Sequence, residues 1–335
     1  MKAKFLPFIL ILCTLSFLTS CKEKQYIHNE GTIFGTDYHM TYQASDDLQK
    51  DIEDELQRFD EALSMFNPNS TLSRINKSGA EKIDLRKELW TCKVIKESIK
   101  LSKITDGAFD ITVAPLVNAW GFGFKSMGDV TQKDIDSLRQ FVGYRLIHLK
   151  KGILTKADPR VQLDASAVAK GYACDVVAEL LRKKGVRNFM IEIGGEMVLN
   201  GHNPKGANWQ IGVNKPTDDP TSTNMDLQKI LTITDKAIAT SGNYRKFYEK
   251  NGKKYAHTID PATGYPVQHS LLSATVIANN CLTADALATA FMVMGVEKAK
   301  LLAEKLPDVE ALFIYNDGGS ENKVSYTTGL GGSRN

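Results

Sequence analysis

What most constrains this chain is where its strand-like runs fall. Five β-rich stretches, 188–193, 209–214, 230–239, 272–278 and 310–315, all follow Gly185, and one alternating stretch, 31–43, precedes them. Between these regions the apolar spacing is helical. From Asp46 to Ser64, Leu48, Ile52, Leu56, Phe59 and Leu63 recur at steps of four, four, three and four, one face of an amphipathic helix with Ser45 as its cap. A second helix is expected over Lys87–Ile104, with Leu89, Val94, Ile95, Ile99 and Leu101 turned inward. A third runs from Ala167 to Lys184 and closes at Gly185. A last pair spans 283–294 and 296–305, the second stopped by Pro307. A doubly wound parallel sheet needs strands and helices in regular alternation. This order predicts an α+β fold instead, one domain of mixed or antiparallel sheets packed by helices.

The 335 residues are 42% hydrophobic and 24% charged, with no repeat and no Pro/Gly/Ser linker, which excludes disordered, collagenous and coiled-coil chains. Lys+Arg number 42 against 39 Asp+Glu. Two of those cations, Lys2 and Lys4, belong to a leader, so the remainder is close to neutral and offers no electrostatic case for nucleic acid. That leader, residues 1–20, places the two lysines before an apolar run from Phe5 to Leu18, short for a membrane span and suited to a secretory signal. Its end, Leu18-Thr19-Ser20-Cys21, resembles a bacterial lipobox, in which Cys21 takes the lipid after cleavage. The alternative is an uncleaved anchor helix. Residues 21–30 then read as a lipidated tether and 31–335 as the domain, a lipoprotein of the cell envelope facing the periplasm, with the inner membrane the expected one. Cys92, Cys174 and Cys281 remain, too far apart in sequence for a CxxC pair; Cys92 and Cys174, inside helical patterns, are expected as buried thiols, and no disulfide or thiolate metal site is assigned.

Six polar stretches between regular elements carry the candidate chemistry. The first, Thr105 to Gly123, contains Asp-Gly-Ala-Phe-Asp-Ile-Thr. The second, Leu163 to Asp175, ends a strand and opens a helix, so that Ala167 to Lys170 lie where free N–H groups suit a phosphate, or simply start a helix. The third is Ile193-Gly-Gly-Glu196, paired glycines that allow either a close backbone approach or a turn. The fourth is Ala239 to Arg245, and the fifth is His257 to Pro266, with one histidine beside an Asp-Pro turn. The sixth is Thr283 to Gly295, where Asp285 and Thr289 stand at i and i+4 and share a helical face. A carboxylate and a hydroxyl, completed by carbonyls, waters and phosphate oxygens, suit Mg²⁺; equally, Asp285 serves as a first-turn acid with Thr289 packed.

In this order and behind a lipobox, the six stretches resemble the FAD:protein FMN transferases, the ApbE-like flavin transferases. DGAFDITVAPLVNAWGFG, LDASAVAKGYACD, IATSGNYR, HTIDPATGYP and TADALATAFMVMG each resemble a family motif, and the likeness runs from Gly31 into the 310s. The resemblance implies Mg²⁺-dependent cleavage of FAD, transfer of FMN through its phosphate to a Thr or Ser hydroxyl of a target protein, and release of AMP. It implies that Asp285, Thr289 and the Ala167 carbonyl hold Mg²⁺ and that His257 is the base. It also places Asp164, Lys170, Ile259, Ala108, Phe109 and Asp110 against FAD, with Phe34 and Phe66 as ring-stacking groups. The implied partners are flavin-carrying subunits of membrane redox complexes and extracytoplasmic electron-transfer proteins, with an acceptor motif resembling Asp-x-x-[Ser/Thr]-[Gly/Ala]-[Ala/Ser]-[Ser/Thr]. Two departures stand out. Ala165-Ser-Ala-Val168 replaces the Leu-Gly-Gly-Ile of many members, and Ala288 stands where some carry a further acid. An FAD pyrophosphatase and a non-catalytic flavin-binding lipoprotein are the competing readings.

Overall fold

A computed structural model describes residues 23–123, 130–216, 227–243, 247–250 and 253–331. The leader with Cys21, and Tyr244 and Arg245 of the fourth stretch, lie outside them. The first half of the chain forms β1 (Gln25–Ile33), β2 (Thr36–Ala44), α1 (Gln49–Leu63), α2 (Thr71–Lys77), β3 (Lys82–Asp84), α3 (Leu89–Ile104), α4 (Ala114–Ala119), α5 (Gln132–Arg139), β4 (Ile147–Lys150), β5 (Ile153–Lys156) and α6 (Ala169–Lys183). The second half forms β6 (Phe189–Ile193), β7 (Glu196–Asn200), β8 (Trp209–Asn214), β9 (Leu227–Ile233), β10 (Lys236–Gly242), β11 (Phe247–Lys250), β12 (Lys253–Ala256), β13 (Leu271–Ala278), α7 (Cys281–Met294), α8 (Val296–Ala303), β14 (Glu310–Tyr315), β15 (Lys323–Tyr326) and α9 (Thr328–Gly331).

The α+β expectation holds. An eight-stranded sheet in the order β1-β2-β6-β7-β10-β13-β14-β15 forms the centre, and every strand pairing among the described residues is antiparallel. Both faces are covered, and the period of two sorts the side chains. Phe189, Ile191, Val198, Ala239, Val276 and Phe313 join the helices α1, α3, α6 and α7 in the main core. Leu199, Ile238, Ile277, Leu312 and Ile314 point the other way, onto Trp209, Ile211, Leu231 and Ile233 of the β8–β9 ribbon.

Several sequence expectations shift. The stretch 31–43 is not one strand but part of a hairpin, because Phe34 and Gly35 both take positive φ, 55° and 74°, the two-residue turn whose twist matches its strands. Gln25 already pairs with Ala44, so β1 begins inside the stretch read as tether: Tyr26 and Ile27 pack against opposite cores and draw the chain into the sheet. Ser45 does not cap α1. Leu48 stands at the cap position without a side-chain bond, and the Asp47 carboxylate before it accepts from Gln49 N at 2.9 Å. Leu89 is 74% exposed at the first position of α3 rather than inward. The run 230–239 breaks at Thr234–Asp235 into β9 and β10. Cys174 is buried as expected, and Cys281 is buried as well, whereas Cys92 is only half-buried.

Helices α6 and α7 cap each other. The Asp175 carboxylate, from the second turn of α6, accepts from Cys281 N at 2.8 Å and Leu282 N at 2.9 Å, two of the orphan donors that open α7. In return Asp285 of α7 accepts from Gly171 N at 3.0 Å in the first turn of α6. So close an approach needs a glycine: a Cβ on Gly171 would lie 2.4 Å from the Cys281 carbonyl oxygen and 2.8 Å from Asp285 Cβ. Gly171→Ala is therefore expected to lower stability by about 1–3 kcal/mol in denaturant unfolding, with the helices forced apart; a variant as stable as the native chain would show that this contact does not fix their spacing.

Burial pushes the Asp175 pKa up to about 6 from the ordinary 3.8, outweighing the two N–H donors. The folded chain thus holds this proton more tightly than the unfolded one, so the contribution is complete below the unfolded pKa and is lost as pH rises through the folded one. Asp175→Asn removes the dependence. Between about pH 4 and about pH 7 the stability of the variant relative to native should rise by up to about 3 kcal/mol. Urea unfolding at several pH values checks this, and a constant gap would refute it.

Candidate active site

Helix α7 explains why a carboxylate matters here. Ten of its 14 residues are buried, and its one charged side chain, Asp285, is 3% exposed. A charge inside a helix that is apolar all round is costly unless partners or a cation meet it. Its Oδ2 takes the Gly171 N–H, and the free end of the α6 dipole adds favourable potential. Burial raises the Asp285 pKa, while Lys170 and the Gly171 N–H oppose the rise.

Lys170 and Glu196 complete this cluster. Lys170, in the first turn of α6, donates to Glu196 Oε2. Glu196 opens β7 straight after the Gly194–Gly195 turn, which carries φ of 60° and 101°. Gly194 leaves the space that the lysine needs: a Cβ there would lie 2.8 Å from Thr36 Cγ2 and 3.2 Å from Lys170 Cδ. The β1–β2 turn, the β6–β7 turn and the start of α6 thus meet at one end of the sheet. Burial works against the Lys170 charge, but the Glu196 and Asp285 carboxylates overcome it and hold the ammonium on. Burial, then the Asp285 charge, raise the Glu196 pKa.

One turn along α7, Thr289 Oγ1 lies 3.2 Å from Ser241 Oγ at the end of β10. Two residues on, Asn243 Oδ1 accepts from Thr258 Oγ1 at 2.8 Å, beside His257. One strand end therefore joins the Asp285–Thr289 face to the histidine loop. That loop is held by the Ile259–Pro266 bridge and by Trp120 Nε1, which donates to Gly264 O at 2.8 Å. His257 is half-buried and meets the Phe122 ring edge-on at 6.4 Å. Ile259 packs in a small cluster with Leu116, Trp120 and Ile135.

The remaining candidates fall in two groups. Asp164 N donates to Ile111 O at 2.6 Å, which binds the Asp164 loop to the Ala108–Thr112 loop. The Asp164 carboxyl is buried, accepts from Ser166 N at 2.8 Å, and has its pKa raised by burial. Asp110 accepts from Thr112 N and Thr112 Oγ1 in its own loop and from Tyr144 N, which ties that loop to the segment before β4. Phe109 is core, while Ala108 is half-buried. At the sheet end, Phe34 packs on Phe59 of α1 with ring centroids 5.6 Å apart, and its positive φ marks a backbone strain that non-glycine residues rarely carry. Phe66 is 73% exposed just past α1.

Ala167 lies in the turn entering α6, where Val168 N and Ala169 N both bond back to Ala165 O. This places its carbonyl near the Asp285-capped helix start. Of the departing positions, Ala165, Val168 and Ala288 are fully buried, Ala167 is half-buried and Ser166 is exposed. Among the described residues no three His, Cys, Asp or Glu side chains form a ready metal cage. A divalent cation here would rest on Asp285, Thr289 Oγ1, the Ala167 carbonyl and oxygens of the ligand itself, a hard-oxygen set that suits Mg²⁺. The excess of buried negative charge, two carboxylates against one ammonium, fits that role. Glu196 is the residue to which sequence reasoning gave no role; the unusual Gly-Gly-Glu after a β-rich run was the signal for it.

A sequence model of the ApbE family matches residues 34–313. The chain is 37% identical over 327 residues to an FAD:protein FMN transferase of Vibrio cholerae serotype O1, covering 95% of this chain and 96% of that protein. It is 37% identical over 338 residues to an FAD:protein FMN transferase of Haemophilus influenzae, covering 97% of each. Its fold superimposes on the structure of the flavin transferase ApbE from Vibrio cholerae with a TM-score of 0.82, over 92% of this chain and 99% of that one, at 36% identity. With the sheet end, the buried acid of α7 and the histidine loop all carried on a chain matched along this length, the protein belongs to the ApbE family.

Proposed function

We propose that this protein is an FAD:protein FMN transferase that moves FMN from FAD to a Ser or Thr hydroxyl of a target protein as a phosphoester and releases AMP. The observation that carries the reading is the Asp285 carboxylate, buried on an apolar helix and turned to the first turn of α6 beside Lys170. Relatives that bear this activity by name match the chain almost end to end.

Lys170 and the α6 N-terminus attract the anionic pyrophosphate. Asp285, Thr289 and the Ala167 carbonyl would hold Mg²⁺, which when bound offsets phosphate charge as the bond order shifts at phosphorus. His257 takes the proton of the acceptor hydroxyl. The hydroxyl oxygen forms a bond to the FMN phosphorus, the bond from that phosphorus to the bridging oxygen breaks, and AMP leaves carrying that oxygen. Phe34 and Phe66 offer ring faces to the isoalloxazine, and Asp164, Ile259 and Ala108 to Asp110 line the approach. The acceptors are flavin-carrying subunits of membrane redox complexes or extracytoplasmic electron-transfer proteins.

The soluble form starting at Lys22, mixed with FAD, MgCl₂ and a domain bearing the acceptor motif, should give a flavin-fluorescent acceptor band on a denaturing gel and equimolar AMP. His257→Ala should keep FAD binding and lose transfer by at least about 100-fold. Asp285→Ala should lose the Mg²⁺-dependent rate. AMP and FMN without a labelled acceptor would replace transfer by hydrolysis, and full activity in His257→Ala would remove the base.

We also propose that Cys21 carries lipid and holds the domain at the periplasmic face of a membrane, on the strength of Leu18-Thr19-Ser20-Cys21. Cys21→Ala should move the protein out of the membrane fraction without lowering transferase activity in detergent; retention at the membrane would refute the anchor.

A further inference from the structure

Two buried carboxylates compete for one ammonium at the start of α6. Glu196 takes the ion pair, and its side chain is only 5% exposed. Asp285 accepts from the N–H of Gly171, the residue next to Lys170, so the second acid sits at the same helix start. The winner is set by the backbone. Glu196 begins β7 opposite Ile193, directly after the turn that packs on Thr36 and on the Lys170 stem. Cys174, one turn farther along α6, donates its thiol to the Glu196 carbonyl at 3.2 Å, so the acid is tied to the helix that bears the lysine. With the ammonium taken by Glu196, Asp285 is left with the Gly171 N–H as its hydrogen-bond partner.

We propose that Glu196 is a positioning residue: it holds the Lys170 ammonium against the β6–β7 turn, keeps it from closing onto Asp285, and so reserves Asp285 for a divalent cation and Lys170 for the anionic substrate. The inference rests on the reading of Asp285 as a cation ligand. It divides the work between two acids. One neutralises a fixed cation of the protein, and the other meets an exchangeable one.

Mn²⁺ binding to the protein, followed by the electron paramagnetic resonance signal of free Mn²⁺ with and without FAD, tests this apart from turnover. Glu196→Ala should weaken Mn²⁺ binding about tenfold or more, because the released ammonium pairs with Asp285. Adding Lys170→Met to that background should bring Mn²⁺ affinity back to within about threefold of native. Glu196→Gln keeps the shape, removes the charge, and should weaken binding in the same direction; it carries the test if the alanine variant fails to fold. Native affinity in both Glu196 variants would overturn the proposal. So would a loss that Lys170→Met does not restore, since Glu196 would then act as a ligand or a packing element. Unchanged Mn²⁺ binding in Asp285→Asn would instead overturn the cation site on which the proposal stands.

Discussion

The architecture of the site hangs on two aspartates exchanged between helices. Asp175 leaves α6 to close the start of α7, and Asp285 leaves α7 to close the start of α6. Each helix therefore cannot move along its axis without uncapping the other. The exchange fixes the first turn of α6, which carries Lys170, against the face of α7 that carries Asp285 and Thr289. It also forces the glycine at 171, because the helices approach to backbone contact there. The surface proposed to meet phosphate and cation is thus made by the same contacts that hold the core together.

Only part of this was legible in the sequence. The long helices were, because their apolar residues recur at helical spacing over four turns, as Ile52, Leu56, Phe59 and Leu63 do in α1. A strand buried on both faces was legible as an apolar run, as with Glu310–Tyr315, and a half-buried one by its alternation, as with Trp209–Asn214. Short elements were not: α4 and β3 carry too few residues for periodicity to register. The β1–β2 turn was hidden because Phe34 adopts a backbone conformation that its side chain does not advertise. Leu89 failed for a related reason, since at a helix start one apolar residue need not face inward.

The site residues divide along the same line. Asp285 and Thr289 could be paired from their spacing alone, since both sit on one helix. The Lys170–Glu196 pairing could not, because 26 positions and a strand separate the two residues and only the sheet brings them together. Asp110 and Phe109 illustrate the opposite limit. They belong to a recognisable stretch, yet one ties its loop to Tyr144 and the other fills the core. They shape the approach to the site through the loop that they fold.

The start of β1 has a spatial consequence. Cys21 stands four positions before Gln25, the first residue of the edge strand, and the strand then runs nine residues to the Phe34–Gly35 turn beside the site. At the rise of an extended strand, those nine residues cover about 30 Å. With lipid on Cys21 the hairpin becomes a stiff post, its foot in the headgroups and its tip at the working end of the enzyme. Chemistry is then confined to a shell at a set height over the bilayer, and the encounter becomes a search in two dimensions. An acceptor threonine buried at the lipid surface would pass underneath.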